Sequence, residues 1–258
     1  MRILRVMSDG SQVRLTDIAA AADLDKATAL RLLDVLVRDG FVERNPRTKH
    51  FTLGPELMLL GVAALKRFDP RPLVRPSLMR LTGASEDSVV LSIPSGCESL
   101  CIDVEEGSYP IRANYLRVGS RRPLGVGAGS LALLAWMPEA ERDAVLDVMA
   151  SQLGRYPRIT PALLQERIEQ ARERGYALLL DVVVERMGGI AMPILDVDGR
   201  PVAAISIAAL NDRILDREAE LAQALKRETT LCQVRWAQAV HPASSHKTNQ
   251  NALKKAAA

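Results

Sequence analysis

The 258-residue sequence is poor in the residues that carry covalent and metal chemistry: three cysteines and three histidines. Cys97, Cys101 and Cys232 are too few and too unevenly spaced for a secreted disulfide framework. Cys97 and Cys101 stand as C-x-x-x-C with no histidine near them, whereas zinc wants tighter cysteine pairs or histidine partners. Reduced, partly buried thiols are expected, with no metal and no cofactor. His50 falls on a predicted hairpin, and His241 and His246 fall in the C-terminal tail, so no histidine stands ready to serve a nucleophile as base. The sequence holds no G-x-S-x-G elbow, no Walker loop and no H-E-x-x-H. The stretch "GVGAGS" resembles a dinucleotide loop only loosely and lacks a following acid-ended strand. Asp103, Glu105 and Glu106 cluster in a pattern suited to a solvated strand end. No catalytic residues are expected, and an enzyme is the disfavoured class.

Long apolar runs are missing too. The stretch from Ala128 to Met137 is broken by Gly and Ser and is far too short to span a bilayer. The N-terminus shows no apolar signal core, so a cytoplasmic protein with no membrane partner is expected. Net charge is also weak. The formal +3 equals the charge of the tail after Val240, which carries Lys247, Lys254, Lys255 and no acid. Any affinity for nucleic acid must therefore come from where charges sit rather than from their sum.

What is present divides into two patterns. Residues 1–54 read as three helices and a hairpin. Ile3, Leu4, Val6 and Met7 make a short first helix, and Thr16 is expected to cap a second over 17–22. Asp25 is placed to cap a third, along which Leu32, Leu33, Leu36 and Val37 recur at helical spacing until Asp39-Gly40. Strands at 41–44 and 49–53 enclose a turn at Asn45-Pro46. Residues 55–69 form a linker helix with Leu57, Leu60, Ala64 and Leu65 on one face, ending before Asp69-Pro70-Arg71-Pro72.

Beyond this boundary, residues 70–240 mix both periodicities. A helix over 73–81 precedes strands in "DSVVLSIPSG", "CESLCIDVEEG" and "YPIRANYLRVG". Helices follow in "GVGAGSLALLAWM", "EAERDAVLDVMA" and "TPALLQERIEQARERG", the last with Thr160 as cap and Gly175 as stop. Strands return in "YALLLDVVV", "GGIAMPILDVDG" and "RPVAAISIAAL", the latter two joined at Asp198-Gly199. A long helix from about 216 to 239 leads to a basic tail, 241–258, expected to be disordered. The fold class is α+β, an antiparallel sheet flanked by helices behind a small helical domain.

Three helices followed by a hairpin make a winged helix-turn-helix. The start of the third helix can enter a major groove, where Lys26, Thr28 and Arg31 offer donors to bases and phosphates. Arg44, Arg47 and Lys49 on the hairpin can track the adjacent backbone. Asp23, Asp25 and Asp34 around the same helix leave a second reading open, a packing module whose basic residues serve solubility.

The chain resembles the IclR family of bacterial transcription regulators through "LTDIAAAADLDKATALRLLDVLVRDGFV", "FTLGPELMLLG", "GSRRPLGVGAGSLALLAW" and "GGIAMPILDVDGRPVAAISIAALNDRI", in the family's order and spacing. The resemblance implies a linker helix used in dimerisation, a GAF-like effector domain, and double-stranded operator DNA as partner. It also implies a homodimer or tetramer and regulation, repression foremost, of a catabolic operon. A small organic acid would be the effector. The first helix begins closer to Met1 than the family pattern, which implies residues ahead of it.

Matched residue by residue, the effector pocket would draw on Gly127, Ala128, Gly129, Asp181, Gly189 and Ser206. Gly125, Gly189 and Ala208 stand where the family often carries His, Cys and Ser. A roomier, less polar pocket is thus expected, for an acid bulkier than pyruvate, aromatic acids included. Tight turns and close helix–sheet packing explain the same glycines equally well. Two rivals remain at this stage: a DNA-binding protein without effector, and an enzyme domain fused to a DNA-binding module.

Overall fold

The computed structural model describes residues 2–8, 10–67, 69–112, 116–150 and 153–240; the tail expected to be disordered lies outside them. The chain divides into two compact units, with the boundary between Asp69 and Pro70.

The first unit holds α1 (Arg2–Val6), α2 (Leu15–Ala21), α3 (Lys26–Arg38), β1 (Val42–Arg44), β2 (Phe51–Leu53) and α4 (Glu56–Arg67). Ile3, Met7, Ile18, Ala22, Leu33, Val42 and Phe51 form its core, so every element except α4 contributes to one apolar cluster. Thr16 is not the cap of α2. The helix starts one residue before it, because the Arg14 carbonyl accepts from both Asp17 and Ile18 N–H; the Thr16 hydroxyl instead meets the Asp17 carboxylate at 3.1 Å. Asp25 does cap α3, its Oδ1 accepting the Thr28 N–H at 2.9 Å. At the hairpin tip Asn45 Oδ1 accepts from Arg47 N–H and Thr48 N–H, and the short polar side chain closes the turn. Along α4, residues 58–66 are all exposed, Met58, Leu59, Leu60, Val62 and Leu65 among them.

The second unit is a six-stranded antiparallel sheet with helices on both faces. Its elements are α5 (Arg71–Ser85), β3 (Ser88–Ser95), β4 (Glu98–Glu105), β5 (Arg121–Pro123), α6 (Ala128–Ala135), α7 (Glu139–Met149), α8 (Pro161–Arg174), β6 (Ala177–Leu180), β7 (Met187–Leu195), β8 (Pro201–Leu210), α9 (Asn211–Leu215) and α10 (Glu218–Val240). The strand order is β5-β4-β3-β8-β7-β6. Because strand side chains alternate faces, Ala177, Leu179, Ala191 and Ala204 turn to one side and pack with α6 and α8. The other face is covered by α5 and α10. All eight residues of α6 are buried, which fixes this short helix against the sheet.

Two expectations change. Residues 109–112 and 116–119 are not strand: the edge of β4 pairs with β5 instead, which leaves that segment no ladder to join. Asp103 and Glu105 are not a solvated end, since Arg75 on α5 pairs with both, at 2.7 Å to Asp103. They tie α5 to β4. A second tie joins Arg80 on α5 to the buried Glu228 on α10, at 2.6 Å.

Candidate functional site

In the first unit, Lys26 and Arg31 are exposed near the start of α3, and Arg44, Arg47 and Lys49 are exposed on the hairpin. Among the described residues none of these five forms an ion pair with an acid, so their charges face solvent. Arg44 lies over the Phe51 ring at 5.2 Å, which holds its stem against the hairpin. Thr28 differs from the expectation. It is half-buried, and its hydroxyl, followed by its N–H, holds the Asp25 carboxyl below the usual carboxylate range. Thr28 is therefore part of the helix cap first. The arrangement leaves two cations on the helix and three on the wing as the basic face.

In the second unit, a cleft opens where the N-terminus of α6 meets the sheet. Strand register carries side chains from all six strands into it. Arg122 of β5 lies opposite Ser99 of β4; Ser92 comes from β3; Ser206 and Ala208 come from β8; Gly189 of β7 lies opposite both Ala208 and Leu179 of β6. Gly127, Ala128, Gly129 and Ser130 supply the helix end. The first N–H groups of a helix have no partner within it, and an N-terminus favours negative charge. A Cβ placed on Gly127 would stand 3.4 Å from Arg122 Nη1, so the guanidinium lies directly beside that end. A Cβ on Gly129 would stand 3.2 Å from Ser206 Oγ and 3.9 Å from Ser92 Oγ. Among the described residues the hydroxyls of Ser92, Ser99 and Ser206 make no side-chain hydrogen bond within the chain. One cation, three open hydroxyls and a helix N-terminus converge: the chemistry of a carboxylate receptor.

Of the six residues expected in the pocket, Gly127, Ala128, Gly129, Gly189 and Ser206 line the cleft. Asp181 does not. Its backbone is left-handed, at φ 63°, and its carboxylate accepts the Arg186 N–H at 2.6 Å, which closes the turn after β6. Nor does Gly125 belong to the cleft. A Cβ there would press to 2.6 Å on Leu164 in the core, so this glycine serves packing. At Gly189 a Cβ would come within 3.0 Å of the Ala128 Cβ, so its missing side chain lets α6 approach the sheet. Of the three departures, only Ala208 leaves room in the lining. Arg122, Ser92, Ser99 and Ser130 are pocket residues that the sequence did not single out. Adjacent arginines in a short strand were the one available signal, since one of the two must face inward.

All three cysteines are free; burial pushes the Cys101 thiol up to about 11. Among the described residues no group of three metal-ligating side chains gathers, and no helix is long and apolar enough to cross a membrane.

Comparison with known proteins agrees with this two-part layout. The IclR helix-turn-helix domain matches residues 1–46, and the C-terminal domain of the bacterial transcriptional regulator IclR matches residues 62–231. The regulator XynR of Escherichia coli is 30% identical over 225 residues, covering 84% of this chain and 87% of its own. The repressor AllR of Salmonella typhimurium is 31% identical over 80% of this chain and 76% of its own. Among solved structures, IclR of Thermotoga maritima is 26% identical with a TM-score of 0.65, covering 91% of this chain and 96% of its own. An IclR homologue from Microbacterium hydrocarbonoxydans, solved with 4-hydroxybenzoate, shares the fold at a TM-score of 0.72 and 24% identity, over 92% and 98% of the two chains. These relatives are transcriptional regulators rather than enzymes. With family models matching both its helix-turn-helix unit and its sheet domain, and with XynR similar over most of its length, the chain is a member of the IclR family of DNA-binding transcription regulators.

Proposed function

We propose that the protein is a repressor of a catabolic operon, released by an organic acid that binds in the cleft between α6 and the sheet. The observation that carries this reading is Arg122 beside the N-terminus of α6, with the Ser92, Ser99 and Ser206 hydroxyls on the same sheet face. A carboxylate would meet the guanidinium and helix end, and the serines would take its remaining polar groups. Apolar contacts come from Val126, Leu179, Val182 and Met187, which suit a hydrocarbon or aromatic body better than a two- or three-carbon acid. Ala208 in the lining and the 4-hydroxybenzoate carried by a structural relative support an acid bulkier than pyruvate. On the DNA side, Lys26 and Arg31 would read and the cations of the wing would hold the backbone. Two chains would be joined through the exposed apolar face of α4 as a homodimer or a tetramer, setting two reading helices on a palindromic operator.

Calorimetry over a series from pyruvate to 4-hydroxybenzoate tests the cleft, with wild type and Arg122→Gln side by side. Losing a charge-assisted hydrogen bond costs about 1.5–3 kcal/mol, so the variant should bind roughly ten- to a hundredfold more weakly. Binding confined to the smallest acids, or untouched by Arg122→Gln, would overturn the reading.

A further inference from the structure

A second concavity lies outside the cleft, walled by Arg155, Tyr156, Pro157, Arg158 and Glu185. It shares Val182 and Val183 with the inner cleft. The partition between the two is therefore a single turn of chain, residues 181–186. We propose that the outer basin is the way in for an anionic effector, and that Arg158 latches the 181–186 turn shut across it. The proposal rests on the reading of the cleft as an effector site.

The inner cleft is narrow, with about 50 Å³ of accessible space, so widening it favours a bulkier occupant. Its sheet wall is fixed by continuous ladders and its helix wall by eight buried residues. The turn is built differently. Asp181 and Arg186, at its two ends, both have φ of 63°. Inside it the bonds are self-contained: Asp181 Oδ1 takes the Arg186 N–H, the Asp181 N–H donates to the Met187 carbonyl at 3.0 Å, and the Met187 N–H donates to the Val184 carbonyl at 3.2 Å. These bonds keep the turn's own shape.

From outside the turn is held by the Asn211 N–H on the Arg186 carbonyl at 3.0 Å, by Val182 packed into the core, and by the hydrogen bonds of one side chain. Arg158 donates from Nη1 to the Asp181 carbonyl at 3.1 Å and from Nη2 to Glu185 at 2.9 Å. Among the described residues no other side chain beyond the turn bonds to residues 181–186. Arg158 and Glu185 are 45% and 73% exposed, so water screens the pair and it breaks readily. Arg155 and Arg158 give the basin its positive charge, against one acid, Glu185. An incoming carboxylate can take the place of Glu185 on Arg158, and the same contact that captures the acid then releases the turn.

The test needs no effector. Ser206→Cys in the full chain places a thiol inside the cleft, and its modification by a small anionic methanethiosulfonate, read by peptide mass, reports access. Buried Cys101 and Cys232 have raised thiol values and react slowly, and half-buried Cys97 serves as internal standard. Adding Arg158→Gln should speed labelling at position 206 severalfold with Cys97 unchanged. In a chain that keeps Ser206, the same change should speed amide exchange at 181–186 but not in β7–β8. Arg155→Gln should slow the anionic reagent relative to a cationic one of equal size. Unchanged labelling at 206, with or without faster exchange in the turn, overturns the proposal. Equal rates for the two reagents after Arg155→Gln as before it remove the charge-guided route. If the rates behave as expected but no acid binds in calorimetry, the effector reading fails while the latch stands.

Discussion

Gly129→Ala separates the packing of the cleft from its use. Gly129 sits in the first turn of α6 with backbone outside the left-handed region, so alanine is conformationally welcome there. In a helix interior the exchange favours folding by up to about 1 kcal/mol, and less in a first turn. Against this, the new methyl would stand 3.2 Å from Ser206 Oγ and 3.5 Å from its Cβ, a crowding that small shifts of one serine relieve. Overpacking a tight core costs about 1–3 kcal/mol, and a cleft wall should fall at or below the lower end. The two effects nearly cancel, leaving stability within roughly 1 kcal/mol of wild type, a shift in melting of no more than about 4 °C. Binding has no such compensation. The methyl occupies the space between Ser206 and Ser92 where the proposed acid's polar group would lie, so affinity for 4-hydroxybenzoate or a related acid should fall about tenfold or more, worth roughly 1.4 kcal/mol. Thermal melting and calorimetry on the same sample read both quantities. Unchanged binding with unchanged melting would show that the acid does not lie over Gly129, and a large fall in melting would show that the packing argument is wrong.

Three further outcomes are expected. Arg31→Ala should lose about 1–3 kcal/mol on operator DNA and little on random duplex, measured by gel shift at fixed salt; equal losses on both would make Arg31 a backbone contact. Leu60→Glu puts a charge in the exposed apolar face of α4, so the variant should sediment as a smaller species and bind operator more weakly. Retained mass together with retained binding removes α4 as the dimer contact. Glu228 is pulled two ways: burial raises its pKa, but the Arg80 guanidinium and the Ser77 hydroxyl outweigh this and hold it below the ordinary value of 4.5. A carboxyl depressed in the folded state contributes stability above its unfolded pKa and loses it as pH falls through the folded one. Wild type should therefore lose melting temperature below about pH 4.5 more steeply than Glu228→Gln, which at neutral pH should be about 1–2 kcal/mol less stable; parallel pH profiles would refute it.

The parts of this fold that could be read from sequence are those set by neighbours in the chain. Asp25 caps α3, Asn45 turns the wing, Thr160 and Gly175 bound α8, and Asp198-Gly199 joins β7 to β8, each through contacts a few residues apart. Thr16 misled because a good capping residue yields when the backbone of Arg14 already starts the helix. Residues 109–112 and 116–119 misled for a different reason: alternation describes a strand's side chains but cannot provide its partner, and β4 had taken β5. The short α9 was missed: the expected helix began only at about 216, and five residues carry too little apolar pattern to mark a helix of their own.

The cleft was only half legible, and the missing half is instructive. Its helix side, Gly127 to Gly129, is contiguous in sequence and was found. Its sheet side takes side chains from six strands, and Ser92, Ser99 and Arg122 look ordinary in their local surroundings. Arg121 and Arg122 show the difficulty most sharply. They are adjacent and identical, yet Arg121 bonds to Ser95 and Glu98 while Arg122 lines the cleft beside Gly127. Only the pairing of Ser99 with Arg122 decides which of them faces the α6 N-terminus. A one-residue slip of β5 would exchange their faces. Which arginine faces the cleft is thus a property of strand register, and the three residues of β5 cannot assign it from their sequence alone.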